Sequence, residues 1–230
     1  MTTNPIRASS RKDAHIDLAL DPETNSEGAN SFDRMRFTHC ALPELDIATI
    51  DLTTSFCGRR LSSPMMIGAM TGGTVRAEAI NRALATVAQE QKIAFAVGSQ
   101  RAALESGQTA AYLRDLAPDI PIIGNLGGIQ LARPNGLDLA KAAIDDLQAD
   151  AIAIHLNPLQ ETVQPEGESD WRGVRDAIAQ LVRTDAAPVI VKEVGAGISV
   201  QVAKELFDCC LLYTSPSPRD YAASRMPSSA

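Results

Sequence analysis

The sequence predicts an α/β protein built on a parallel sheet, and within that class a (β/α)8 TIM barrel of which about five βα units are legible. Three observations lead there. Five short apolar runs rich in Ile, Val or Met recur along the chain, each continuous rather than alternating, as strands covered on both faces require. Segments with helical hydrophobic spacing lie between them, so strand and helix alternate at intervals of roughly thirty residues, as right-handed crossovers demand. Every run also ends in glycines and polar residues. A barrel builds its site from many strand ends at the carboxyl face, whereas an open doubly wound sheet uses one switch point.

The elements follow in order. "IDLTTSFCGRRLSS" alternates apolar and polar residues around Gly58 and predicts a small hairpin capping the barrel. The first strand lies in "PMMIGAMTGG" from Pro64, followed by a helix with Ile80, Leu84 and Val87 inward. "IAFAVGSQR" from Ile93 is the second strand, and "IPIIGNLGG" from Ile120 the third, with Leu137, Ala140, Ile144 and Leu147 on its helix. "AIAIHLN" from Ala151 is the fourth, followed by Trp171, Val174, Ile178 and Leu181 at the same spacing. "PVIVKEVGAG" from Pro188 is the fifth, and Ser199 is the predicted N-cap of a helix through Leu206. A sixth strand is due near Phe207. Instead "CCLLYTSPSPRDYAASRMPSSA" brings Pro216, Pro218, Pro227 and five serines, without βα period. Residues 1–63 are therefore expected to form an N-terminal arm and capping hairpin, and 64–209 a partial barrel. Residues 210–230 are expected to be a non-native tail outside the fold.

Composition bounds the partners. A net charge of −7 and an isoelectric point near 5.0 argue against nucleic acid, which favours a basic face. No stretch approaches the ~18 consecutive apolar residues of a membrane helix, and the polar N-terminus carries no secretory signal, so a cytoplasmic protein is expected. Cys40, Cys57, Cys209 and Cys210 form no C-x-x-C pair, so reduced thiols are expected rather than zinc or disulfides.

The strand ends carry the chemistry. "MTGGT" (Met70 to Thr74) and "GNLGG" (Gly124 to Gly128) offer exposed backbone N–H groups that let a flat ring or a phosphate approach, though a tight turn looks the same. Asn125 adds a donor and an acceptor. There is no G-x-G-x-x-G or Walker sequence. Lys192 sits among apolar neighbours and implies an anionic partner, either Glu193, another core carboxylate or an electron-rich cofactor ring. Arg101 suits phosphate oxygens or a salt bridge. "RKDAH" (Arg11, Lys12, His15) is a basic knot in an acidic arm, either solvated or folded over a diphosphate. "HLNPLQE" gathers His155, Asn157, Gln160 and Glu161. His155 and Asn157 share one strand face, and one carboxylate among neutral donors suits a hard cation such as Mg2+.

Taken together, "RKDAH", "GAMTGG", "VGSQR", "GNLGG", "HLNPLQE" and "VKEVGAGIS" resemble the type 2 isopentenyl-diphosphate isomerases, which are FMN-dependent (β/α)8 barrels. The resemblance runs from about Arg11 to Cys209. It implies that Ala69, Met70, Thr71, Ser99, Asn125 and Lys192 contact FMN. It implies that Arg11, Lys12, Ser99, Gln100, Arg101, His155, Asn157 and Gln160 bind substrate, and that Glu161 is the Mg2+ ligand. His155 and Gln160 are the candidates for assisting proton transfer. The family converts isopentenyl diphosphate to dimethylallyl diphosphate with reduced FMN and Mg2+, and NADPH is the expected reductant. A small-molecule diphosphate partner and a homo-oligomer are implied too. The family's later glycine-rich loops, which hold the FMN phosphate, have no counterpart here, so this chain is expected to be inactive. A flavin barrel acting on 2-hydroxy acids, as oxidase or dehydrogenase, is the alternative, and an inactive fragment with residual ligand binding is another.

Overall fold

The computed structural model describes residues 12–14, 16–18, 20–21, 35–165, 167–195, 197–209 and 213–214. The alternating stretch before Pro64 folds as β1 (Thr54–Phe56) and β2 (Arg59–Leu61), antiparallel, with Thr54 opposite Leu61 and Phe56 opposite Arg59. Two residues join them, Cys57 and Gly58, both at positive φ (47° and 76°), as the twist of a tight hairpin requires.

Six strands form one parallel sheet in sequential order: β3 (Met66–Ile67), β4 (Ala94–Ala96), β5 (Ile122–Gly127), β6 (Ala151–Leu156), β7 (Val189–Glu193) and β8 (Tyr213–Thr214). The first five are the five apolar runs. The sixth lies in the stretch that the sequence assigns to a tail, where Tyr213 and Thr214 pair with Ile190 and Val191. Neighbours in sequence being neighbours in the sheet is the connectivity of a barrel, here incomplete.

Between the strands run α1 (Val75–Gln91), α2 (Arg101–Glu105), α3 (Tyr112–Leu116), α4 (Gly128–Leu131), α5 (Gly136–Leu147), α6 (Pro158–Val163), α7 (Val174–Arg183) and α8 (Val200–Phe207). Thr74 caps α1 by accepting from the Ala77 N–H at 3.0 Å, and Ser199 caps α8 by accepting from Val202 at 3.3 Å. The inward faces of α5 and α7 are those that the spacing predicts. That of α1 is so only in part. Val87 is exposed, and the buried face is Ala77, Asn81, Ala85 and Ala88. Short side chains let this helix lie close against β3 and β4, a fit that a search for large apolar residues overlooks.

The pleat sorts the strand residues by parity. Ile152 and Ile154 of β6 point outward and pack with Ile144, Ile178, Leu181 and Val191 under the helices. Each is fully buried, which contributes about 1.5–3 kcal/mol per side chain. Ala151 and Ala153 point inward, with Ala94, Ala96, Ile123 and Ile190, against Leu61, Phe56 and Cys57 of the hairpin. The hairpin thus closes the amino ends of the strands. Asp150 fastens it there, accepting from Arg59 Nε at 2.5 Å, Arg114 Nη2 at 2.6 Å and the Ile122 N–H at 2.9 Å.

Candidate functional site

The same parity, continued toward the carboxyl ends, replaces small apolar residues with polar ones. After Ile123, Ala153 and Ile190, the next inward residues are Asn125, His155 and Lys192. His155 stands in register between Gly127 of β5 and Lys192 of β7. A cavity of about 800 Å³ opens over these strand ends. It brings together Lys12, Ala69, Met70, Thr71, Ser99, Arg101, Asn125, His155, Asn157, Gln160, Glu161 and Lys192, from the arm and from five strand-end loops.

Two predicted residues are not among them. Arg11 lies outside the described residues. Gln100 corrects an expectation: its side chain is buried away from the cavity, with Nε2 donating to the Ala143 carbonyl at 3.0 Å and Oε1 accepting from the Asn125 N–H at 2.9 Å. Both ends of its amide are spent on the fold, locking β5 to α5. It therefore has no reach toward a ligand.

The loops after β3 and β4 meet tightly. Thr71 O accepts from the Gly98 N–H at 3.1 Å and from Asn81 Nδ2 at 3.1 Å. A Cβ on Gly98 would stand 2.3 Å from that oxygen, so only glycine fits. The arm reaches this wall through Lys12 Nζ, which donates to Ser99 O at 3.2 Å. Thr74 donates to Asp13 at 2.7 Å.

Asn125 sets the state of His155. Its Nδ2 donates to Val97 O at 3.0 Å, which turns its Oδ1 toward His155 Nδ1, 2.8 Å away. That ring nitrogen must therefore carry the proton, and Nε2 holds the free lone pair. Burial, then the charges of Lys192, Arg101 and Lys12, push the His155 pKa down to about 4, so the ring is neutral near pH 7. Burial likewise pulls the Lys192 ammonium below its ordinary value, with Glu193 pulling the other way. Glu193 has other partners as well. Its carboxylate accepts from the N–H groups of Gly195 and Gly197, and Lys192 Nζ has no hydrogen-bond partner among the described residues.

At the end of β6, Asn157 Nδ2 donates to Gln160 Oε1 and to Glu161 Oε1, both at 3.0 Å. Its Oδ1 is buried without a partner among the described residues. A buried acceptor left open is costly and fits a site completed by a ligand. Glu161, Gln160 and Asn157 supply hard oxygen donors suited to Mg2+, which takes few protein ligands and several from water and phosphate. Among the described residues no group of three His, Cys, Asp or Glu is gathered for a metal.

Three contributors escape the sequence reading. Asn81 is one, holding Thr71. Gln130, which lines the cavity, and Glu168 are the others. Glu168 accepts on one oxygen from Arg101 at 3.0 Å, Gln130 at 3.3 Å and Arg133. Burial pushes its carboxyl up, but the Arg133, Gln130 and Arg101 donors outweigh that and hold it below its usual range. No spacing signal marks Glu168, because its partners lie on two other segments.

Residues 14–111 match the family model described as FMN-dependent dehydrogenase. Isopentenyl-diphosphate delta-isomerase of Pseudescherichia vulneris is 50% identical over 202 residues, 86% of this chain and 58% of that protein. The protein of the same name from Xanthobacter autotrophicus is 52% identical over 206 residues, 88% of this chain and 60% of that one. That from Thermococcus onnurineus is 45% identical, covering 85% and 55%. The chain thus spans 55 to 60% of the length of these curated relatives. Among solved structures, a mandelate oxidase variant with (S)-mandelic acid superposes with a TM-score of 0.51 at 12% identity, over 79% of this chain and 56% of that one. That likeness shows the barrel fold. With half its residues shared over most of its length, and with the motifs that carry the resemblance gathered at one cavity, the chain is a homologue of the isopentenyl-diphosphate delta-isomerases.

Proposed function

We propose that this chain carries the substrate-facing wall of an FMN- and Mg2+-dependent isomerase that converts isopentenyl diphosphate to dimethylallyl diphosphate. One observation carries the reading. Arg101 and Lys12, the oxygen donors of Glu161, Gln160 and Asn157, and the half-buried pair His155 and Lys192 all line one cavity. A diphosphate, a divalent cation and a flat electron-rich ring would each find a matching set of groups there.

The residues divide the work. Arg101 and Lys12 offer N–H donors to diphosphate oxygens, and Glu161 with Gln160 and Asn157 Oδ1 would hold Mg2+ against the same oxygens. That clamp fixes the tail, so the alkene end lies toward the buried floor. Ala69, Met70, Thr71, Ser99 and Asn125 would hold the FMN ring, with Lys192 beside it. Bound reduced FMN supplies the electron-rich face and the proton that an unactivated alkene requires. His155 keeps its proton at Nδ1 and presents Nε2 as an acceptor. With Gln160 Nε2 as a donor, it orients the groups between which a proton moves. Apolar residues around the floor exclude water that would quench a carbocation.

In this reading NADPH recharges the flavin and the full-length enzyme is a cytoplasmic homo-oligomer. The free thiols of Cys40, Cys57 and Cys209 suit a reducing compartment. The 230-residue chain is proposed to bind the diphosphate half of the site without turning over. Extended through the remaining barrel units and supplied with dithionite-reduced FMN and Mg2+, it is expected to form dimethylallyl diphosphate from isopentenyl diphosphate. Equal product with oxidised FMN would reject the proposal. Glu161→Gln is expected to weaken Mg2+ at least tenfold, read as the Mg2+ concentration for half-maximal product. An unchanged Mg2+ requirement would remove Glu161 from the role.

The match to the FMN-dependent dehydrogenase model supports a second reading, oxidation of a small 2-hydroxy acid. It leaves Glu161 and the Lys12 arm unemployed. Bleaching of oxidised FMN by 2-hydroxy acids, without diphosphate dependence, would favour it.

A further inference from the structure

We propose that Glu168 is a positioning residue that ties Arg101 to Glu161, so that the cationic and metal-holding halves of the diphosphate site act as one unit. The inference rests on the diphosphate reading above. Glu168 is bound to both halves at once. Its carboxylate accepts from Arg101 Nη1 at 3.0 Å, from Gln130 Nε2 at 3.3 Å and from Arg133. Its backbone N–H donates to Glu161 Oε2 at 2.9 Å, while Asn157 holds the other oxygen of Glu161 at 3.0 Å. The turn between them is closed. A Cβ on Gly167 would stand 1.7 Å from the Glu161 carbonyl oxygen, so Gly167 approaches Glu161 at a distance only glycine allows.

Two effects of Glu168 oppose each other. A carboxylate beside an anion site repels the ligand, yet it also orders the guanidinium that must grip it. Arg133 sits on the same carboxylate oxygen and offsets its charge, so repulsion is the smaller effect. Glu168 engages one Nη1 hydrogen of Arg101 and leaves the other donors of the fork to a ligand. Glu161 likewise keeps lone pairs for a cation, because each of its oxygens accepts a single bond among the described residues. Arg101 and Glu161 come from α2 and α6, which follow different strands. Glu168 joins them with no intervening residue.

The test is calorimetric titration of the 230-residue chain with inorganic pyrophosphate, with and without Mg2+. The unaltered chain is expected to bind, and Mg2+ to tighten the binding. Glu168→Gln keeps the backbone N–H and removes the charge. It is expected to weaken pyrophosphate binding in Mg2+ about tenfold and to abolish the Mg2+ enhancement. In an Arg101→Gln background the same substitution is expected to cost nothing more. Glu168→Asp keeps the charge and is expected to keep the enhancement, which its loss would contradict even if Glu168→Gln failed to fold. Unchanged or tighter binding in Glu168→Gln overturns the proposal and leaves the diphosphate reading standing. No binding by the unaltered chain overturns both.

Discussion

His155 sits on the floor of the cavity between Asn125 and Lys192. Its environment makes it a weak base, with a pKa near 4, so it is an oriented acceptor at neutral pH and not a reservoir of charge. In NMR its ring signals are expected to stay unshifted from pH 8 to about pH 5 and to titrate only below that. Because the folded pKa lies below the ordinary 6.5, the unfolded chain binds the proton first as pH falls. The stability this neutral ring contributes is therefore complete above about pH 6.5 and lost between there and pH 4. The difference is on the order of 3 kcal/mol. Denaturant melts across that range are the check, with His155→Gln expected to flatten the profile. Asn125 is the cause upstream, since its Val97 contact decides which way its amide faces. The sequence identifies both residues. That one orients the other follows only from their meeting across β5 and β6.

Among the elements, the loops after β3 and β4 define how close the wall of the cavity can come. Gly98 lets the two loops touch, and Asn81 of α1 completes the contact. Gly98→Ala is expected to force them apart, costing about 1–3 kcal/mol in a denaturant melt. A chain that keeps its stability would show that the contact is incidental. The element-level reading of the sequence succeeds where a long period carries it, as in α5 and α7, whose inward faces repeat at helical spacing. It is incomplete in α1, where Leu84 meets the core but alanines and Asn81 form the buried face, because their size and polarity hide them from a hydrophobic count. Gln100 fails for a related reason. Its neighbours Ser99 and Arg101 line the cavity, but the first turn of α2 rotates Gln100 into the fold.

For the whole molecule, the described residues give a sheet with β3 at one edge and the two-residue β8 at the other. Edge strands of this kind invite pairing with another chain. The segment before the hairpin adds apolar side chains in the open, among them Phe37, Leu42, Ile47 and Leu52. The 230-residue chain is expected to self-associate as its concentration rises, and sedimentation velocity should show species heavier than a monomer above the micromolar range. A single monomeric species throughout would contradict it. At this scale the sequence by itself determined the parallel α/β class, the hairpin and the five strands, because continuous apolar runs and helical spacing are local properties of the chain. It also named twelve of the residues that line the cavity, because polar groups at the end of an apolar strand are conspicuous and the motifs around them resemble a known family. Only the tertiary structure decided which of them meet. Strand register sets His155 beside Lys192 and Asn125, and the fold back of the loop after α6 brings Glu168 to both Arg101 and Glu161. Those relations join segments far apart in sequence, and they exist only once the inward parity of each strand has been fixed by its neighbours.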